Sequence, residues 1–411
     1  MPSIELSVLQ LISPTRLINC GESLDNNLRS YSCASAHRRS ASGVGFGQSG
    51  YFALLTLFSF IVYRGSIARH WYKDDLEFRC LGPLTPLKAI DCFDPYTIAW
   101  FYRPLTKILM LSWNSLGAYF GLTVAECCSH IFSIVLFALC CFLLSVLVQA
   151  ALPSQSGYWM GLAAGVLLLL FNPGREAVTW ACCSSTLLSI VFSLSAMICA
   201  IKYPSSFWKW ILTALAMISK EDAIFLPVAV LLTNVRRADA AYAVICEVGW
   251  FVLEKIAVRH YPFATQVAAG SRTVGAGGAG LASYIQTTMG RFVVDWLTPI
   301  RTFVVTTLVL LSAPDNLIVT IERFLCPGIF LSITALTYLR SRNKLVLTAS
   351  IAALLSCLAD PLLSGTHSLA ERFLVYPFVY LTFFWCVAVH SYLTSRPIKA
   401  KPELTQLSNK E

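Results

Sequence analysis

Asp74 and Asp75 are adjacent carboxylates that follow closely on an apolar run. Such a pair can hold a divalent metal, the candidate cofactor here, and either acid can act as general base on an acceptor hydroxyl. A solvated pair of loop acids is the plainer alternative. Further along, Tyr102-Arg103-Pro104-Leu105 opens an amphipathic stretch. Pro suits a first helical turn, and Arg103 can bind an anion or pair with Asp94. His130 heads a long apolar run, where a lone histidine is more often a hydrogen-bonded structural residue. Two turns follow, Asn172-Pro173-Gly174-Arg175-Glu176-Ala177-Val178-Thr179-Trp180 and Ser219-Lys220-Glu221-Asp222 with Pro227 behind it. Ser219 can cap a helix whose dipole favours Glu221 and Asp222. Lys220 is a cation at that same place, and its natural partner is an anionic ligand. Last, Glu371-Arg372-Phe373 precedes Tyr376-Pro377. There Arg372 offers a fork for phosphate, or a simple pair with Glu371.

The elements that must position these groups are apolar. Of 411 residues, 56% are hydrophobic and 13% charged, with mean hydropathy +0.65. Soluble domains sit near about 45–50% apolar and about 25% charged. Disorder and a nucleic-acid partner are excluded, and a soluble enzyme is disfavoured. Apolar windows fall at 46–63, 129–151, 158–172, 177–201, 207–218, 222–235, 240–257, 292–312, 324–339, 345–363 and 373–394. They predict an all-α, polytopic transmembrane protein of about 9–11 spans. Residues 105–123 fit a helix at the membrane surface better than a span. The chain divides into a polar cytoplasmic tail (1–43), a membrane domain (44–394) and a second cytoplasmic tail (395–411).

The net charge of +9 reads as topology. Arg38 and Arg39 place the N-terminus in the cytoplasm, and Arg236 and Arg237, then Arg340, Arg342 and Lys344, mark two cytoplasmic turns. Long loops after the first span (64–104) and at about 258–291 then face outward. An outward 258–291 loop and an inward turn at 340–344 need an odd number of crossings between them, and two windows are visible. The ionisable clusters collect at the outward ends of spans, where a catalytic face would gather them. Most of the 15 cysteines lie in or beside apolar runs and act as small hydrophobes. Cys80 and Cys92 share a polar loop and can bridge if it faces an oxidising compartment. Glu247 and Glu254, one heptad apart, read as packed polar contacts.

Taken together and in order, the clusters resemble the GT-C superfamily of membrane glycosyltransferases. The nearest branch is the protein O-mannosyltransferase-like proteins that carry tetratricopeptide repeats. The residues that carry the resemblance are Asp74-Asp75, Tyr102-Arg103-Pro104-Leu105, His130, Pro173 with Glu176, Val178 and Trp180, Ser219-Lys220-Glu221 with Pro227, and Glu371-Arg372-Phe373-Leu374 with Pro377. They span about residues 50 to 394. Three features depart from the family pattern: Asn172 stands where its histidine would be, Ser184 and Ser185 occupy the region of an arginine, and no repeats follow.

The resemblance implies a GT-C-like fold and transfer of a sugar, hexosyl or mannosyl, from a polyprenyl-phosphate carrier on the outer or luminal face. The acceptor would be a protein, lipid or glycan, with membrane lipids as the surroundings. Asp74 or Asp75 would be the base, and Arg103, Lys220 and Arg372 would hold the donor phosphate. His130, Glu176, Trp180, Glu221 and Glu371 would support them. The long 258–291 loop would act as a mobile cover. A transporter or lipid flippase and an inactive GT-C-like scaffold are the alternatives. A bacterial inner membrane is favoured over an ER membrane.

Overall fold

The computed structural model describes residues 47–71, 75, 79–96, 102–170, 174–233, 236–260, 330–364 and 375–395; among these the regular elements are helices, with no strand. They are α1 (Gln48–Tyr63), α2 (Pro86–Asp91), α3 (Pro104–Phe120), α4 (Leu122–Ala151), α5 (Gln155–Leu169), α6 (Gly174–Thr179), α7 (Ser184–Lys202), α8 (Trp208–Ser219), α9 (Leu226–Thr233), α10 (Arg237–His260), α11 (Lys344–Ser364) and α12 (Val375–Thr394). A further helical stretch covers 330–341. Among the described residues, three helices are long and apolar enough to cross a membrane: Leu122–Ala151, Ala181–Lys202 and Val375–Thr394. The tail 1–43, Asp74, most of the 258–291 loop, the 292–312 window, Glu371 and Arg372 lie outside the described residues.

Several windows map onto helices with altered bounds. The 129–151 window begins earlier, because Gly121 adopts φ +93° and turns the chain sharply from α3 into α4. The 177–201 window breaks at Trp180 and restarts as a 3-10 turn, Ala181–Cys183, before α7. The 222–235 window holds another 3-10 turn and the eight residues of α9. At about 1.5 Å per residue, α9 is far shorter than a bilayer core. The 240–257 window continues as helix through His260, so residues 258–260 belong to α10 and not to a loop.

Side-chain contacts sort the helix ends into two layers. Tyr51 OH donates to the Leu162 carbonyl and Tyr63 OH to that of Leu169, which sets α1 parallel to α5. At one end Ser154 bonds His390, Asn343 bonds Ser391, and Lys209 pairs with Asp239. Arg236, Arg237, Arg342 and Lys344 lie exposed at element ends on this side, the basic end. The opposite end carries Glu126, His130, Lys220, Glu221 and Asp222, all buried. Outward surfaces between the layers are apolar, with Leu57, Ile61, Leu167, Val248, Phe251 and Leu339 among the exposed side chains. A water-facing surface of this kind is unfavourable, whereas one facing lipid tails is not.

One small-residue seam sets the closest helix approach. Gly157, Gly161 and Gly165 recur every fourth residue along α5; Gly157 lies against Leu152 in the link, and Gly161 and Gly165 lie against α4. A Cβ added at Gly161 would sit 2.6 Å from the Ser145 carbonyl oxygen; one at Gly165 would sit 2.8 Å from that of Cys141. Backbone cannot give way there as a flexible side chain could, so the glycines let two helix backbones meet. We expect Gly161→Val to push α4 and α5 apart and to cost about 2 kcal/mol or more. Thermal unfolding in detergent measures this, and an unchanged midpoint would refute the seam.

Candidate functional site

The segment after α1 is strapped across the start of α4. Trp71 N–H donates to Glu126 Oε1 at 3.1 Å, and its indole N–H reaches Ser129 Oγ at 3.0 Å. His70 Nδ1 lies 2.9 Å from Glu126 Oε2, and His130 Nε2 donates to the Arg69 carbonyl at 3.1 Å. Each contact joins residues more than fifty positions apart, so the strap is tertiary in origin. It delivers Asp75 to the break at Trp180. There the Asp75 carboxylate accepts from the backbone N–H groups of Cys182 at 2.7 Å and Ala181 at 3.3 Å. These are free donors at a helix start, and Asp75 caps them from another part of the chain. Asp75 is buried and lies within electrostatic range of His130.

A second group assembles where α3 begins. Arg103 forms a two-pronged pair with Glu221, its Nε 2.6 Å from Oε2. Thr106 Oγ1 donates to the Ser219 carbonyl at 2.8 Å, and Tyr102 N–H donates to Glu254 Oε2 at 2.8 Å. Lys220 Nζ lies 2.8 Å from Asp222 Oδ2 and donates to Thr186 Oγ1 at 2.8 Å. Thr186 stands in the first turn of α7, close to the backbone that Asp75 caps, so the two groups share one layer. Tyr376, two residues into α12, shares a 2.9 Å hydrogen bond with Ser193 and lies within electrostatic range of Asp222. The start of the last helix is thereby turned towards the same layer.

The charges in this layer are set by competition between burial and pairing. Burial opposes the positive charge of Arg103 and of Lys220, yet Glu221 and Asp222 outweigh it and hold both cations above their ordinary pKa. Burial alone would raise Glu221, but Arg103 and Lys220 hold its carboxyl below the usual carboxylate range. Asp222 goes the other way: burial pushes it up, and Lys220 only partly offsets this. A half-buried arginine, a buried lysine and two buried acids thus form one coupled set.

The structure therefore brings together Asp75, His130, Arg103, Lys220 and Glu221 from the sequence-derived candidates. Glu176 and Trp180 flank the same break, half-buried. Asp74, Glu371 and Arg372 fall outside the described residues. Sequence reasoning passed over Glu126 and Thr186, which no local pattern marks. It also treated Glu254 as a packed contact, and a heptad spacing from Glu247 was its only signal. Of the Asp74-Asp75 pair considered for a metal, Asp74 lies outside the described residues and Asp75 accepts from backbone N–H groups. Among the described residues no set of three His, Cys, Asp or Glu side chains gathers as a metal site. Cys80 and Cys92, which could have bridged in an oxidising compartment, are not joined by a disulfide. The short helix α2 buries Cys92 at its end and leaves Cys80 at the surface. No family model matches the chain, and no curated protein or solved structure matches it either.

Removing Glu221 leaves a half-buried guanidinium without its two-pronged partner. Glu221→Gln should cost about 3 kcal/mol, and the paired replacement Arg103→Met with Glu221→Leu should recover most of it. Unfolding midpoints of these two variants check this, and an equal loss in the double variant would rule out pairing as the cause. Because Glu221 is depressed in the folded state, its contribution is present above the ordinary carboxylate range and is lost as pH falls below about 4. The acid limb of a stability-against-pH curve should shrink in Glu221→Gln.

Proposed function

We propose that the chain is a polytopic membrane glycosyltransferase of the GT-C type. In this reading it moves a sugar from a polyprenyl-phosphate carrier to an acceptor on the outer or luminal face. The observation that carries the reading is the joining of Tyr102-Arg103-Pro104 to Ser219-Lys220-Glu221. Two motifs read separately in the sequence meet as one buried charged layer at the end opposite the basic turns. Asp75 and His130, the other members of the resemblance, are strapped to that layer's edge.

The division of labour follows from the contacts. Asp75 is turned to backbone amides, so it positions the loop, and Asp74 beside it is the base that takes the acceptor hydroxyl proton. Arg103, held by Glu221, and Lys220, held by Asp222, provide the positive field for a phosphate leaving group, with Arg372 as the fork that grips it. Lys220 then exchanges Asp222 for phosphate when donor binds. The basic end faces the cytoplasm and the charged layer faces outward. A bacterial inner membrane suits the chain, with an ER membrane as the other setting.

Transport is the second reading, and Glu247 favours it. This acid lies in the middle of α10, and its Oε1 is buried with no hydrogen-bond partner. An intramembrane carboxyl is a candidate for proton-coupled movement.

The deciding assay supplies purified, reconstituted protein with polyprenyl-phosphate sugars. Wild type should transfer or hydrolyse the sugar. Asp74→Asn should lose activity about a hundredfold or more while keeping its unfolding midpoint. Asp75→Asn should lower the midpoint first, because it uncaps the 181–183 turn. If wild type releases sugar from no such donor, the transferase reading fails.

A further inference from the structure

At the basic end, the helical stretch 330–341 and α12 enclose an apolar groove of about 220 Å³. Ile333, Leu336, Trp385, Val389, Tyr392 and Leu393 line most of it, and no acidic side chain is among its lining residues. Leu336, Val389 and Leu393 are also largely exposed, so the groove opens onto the apolar flank of the molecule. Arg340 stands at its mouth, its guanidinium 4.3 Å from the centre of the Tyr392 ring. The Arg340 Nε is buried and has no hydrogen-bond partner among the described residues. Arg342 and Lys344, both exposed, follow in the next turn.

The geometry points to a binding site for an anionic phospholipid in which one acyl chain fills the groove and the phosphate bonds Arg340. Each part of the lipid meets its chemical complement. An apolar slot open to the lipid-facing flank takes a chain without exposing it to water. The ring of Tyr392 holds the guanidinium by a cation–π contact and leaves N–H donors for an oxygen ligand. The remaining N–H groups of the guanidinium then gain an anionic acceptor. Arg342 and Lys344 add positive field at the level of the headgroups, where an anionic leaflet attracts basic side chains. A zwitterionic lipid offers the same chain but no net charge. The site lies at the end of the bundle away from Lys220 and does not depend on the transferase reading.

Delipidated full-length protein, titrated with phosphatidylglycerol or phosphatidylcholine of identical chains and read by native mass spectrometry, tests the site. Wild type should prefer phosphatidylglycerol about fivefold, the effect of one arginine near an anionic surface. Arg340→Gln should abolish the preference and Arg340→Lys keep most of it. Ala388→Trp, which fills the groove, should weaken both lipids. Free glycerol phosphate should not compete. An unchanged preference in Arg340→Gln would overturn the site, as would competition by glycerol phosphate equal to that of the lipid. A wild-type dimer dissolved by Ala388→Trp would also overturn it, because the groove would then be an interface between copies.

Discussion

A charged side chain carried into a bundle of leucine, phenylalanine and alanine loses its water, and the loss amounts to several kcal/mol per ion unless a partner replaces it. The architecture answers that constraint by pairing ions across distant parts of the chain. Arg103 and Glu221 lie 118 positions apart, and their pairing locks the start of α3 to the turn between α8 and α9. Lys220 and Asp222 share that turn, and Thr186 brings in the head of α7. At the opposite end Lys209 and Asp239 close α8 onto α10, with the Trp210 indole N–H as an added donor. Burial works against the Asp239 carboxylate, and its bonds to Lys209 and Trp210 hold it below the usual range. The long apolar helices thus run between two polar layers and are clamped at each.

Between the layers, small residues and hydroxyls set the helix contacts. Glycines let α5 lie against α4 at backbone distance. Hydroxyl groups stitch neighbouring helices: Ser133 to Ser184, Ser189 to the Ala216 carbonyl, Ser193 to Tyr376. Hydrophobic burial gives little drive for helix association in lipid, so close packing and interhelical hydrogen bonds must supply specificity. The same logic explains the exposed leucines and phenylalanines on the flanks, which need only a lipid neighbour.

Much of this was legible in the sequence. The apolar excess and the scarcity of charge predict helices, and the buried layer contains the ionisable residues that stand out by type. Window edges were less legible where a single backbone event decides them. Gly121 at positive φ starts α4 ahead of its apolar run, and Asp75 caps the turn that begins at Ala181 from 106 positions away. The glycine seam of α5 was readable as a four-residue repeat in an apolar run, yet its partner helix was not.

The sequence by itself determined the helical class and the preferred neighbours of each surface, because both follow from side-chain type and period. It also determined which residues are too costly to bury alone. Only the tertiary structure decided which ion answers which. Arg103 had Asp94 as its nearest candidate partner and took Glu221 instead. Asp75 accepts from two backbone amides more than a hundred positions away. Pairing over a hundred positions carries no local signature, since its cost is met only when folded helices bring both partners out of water at the same place.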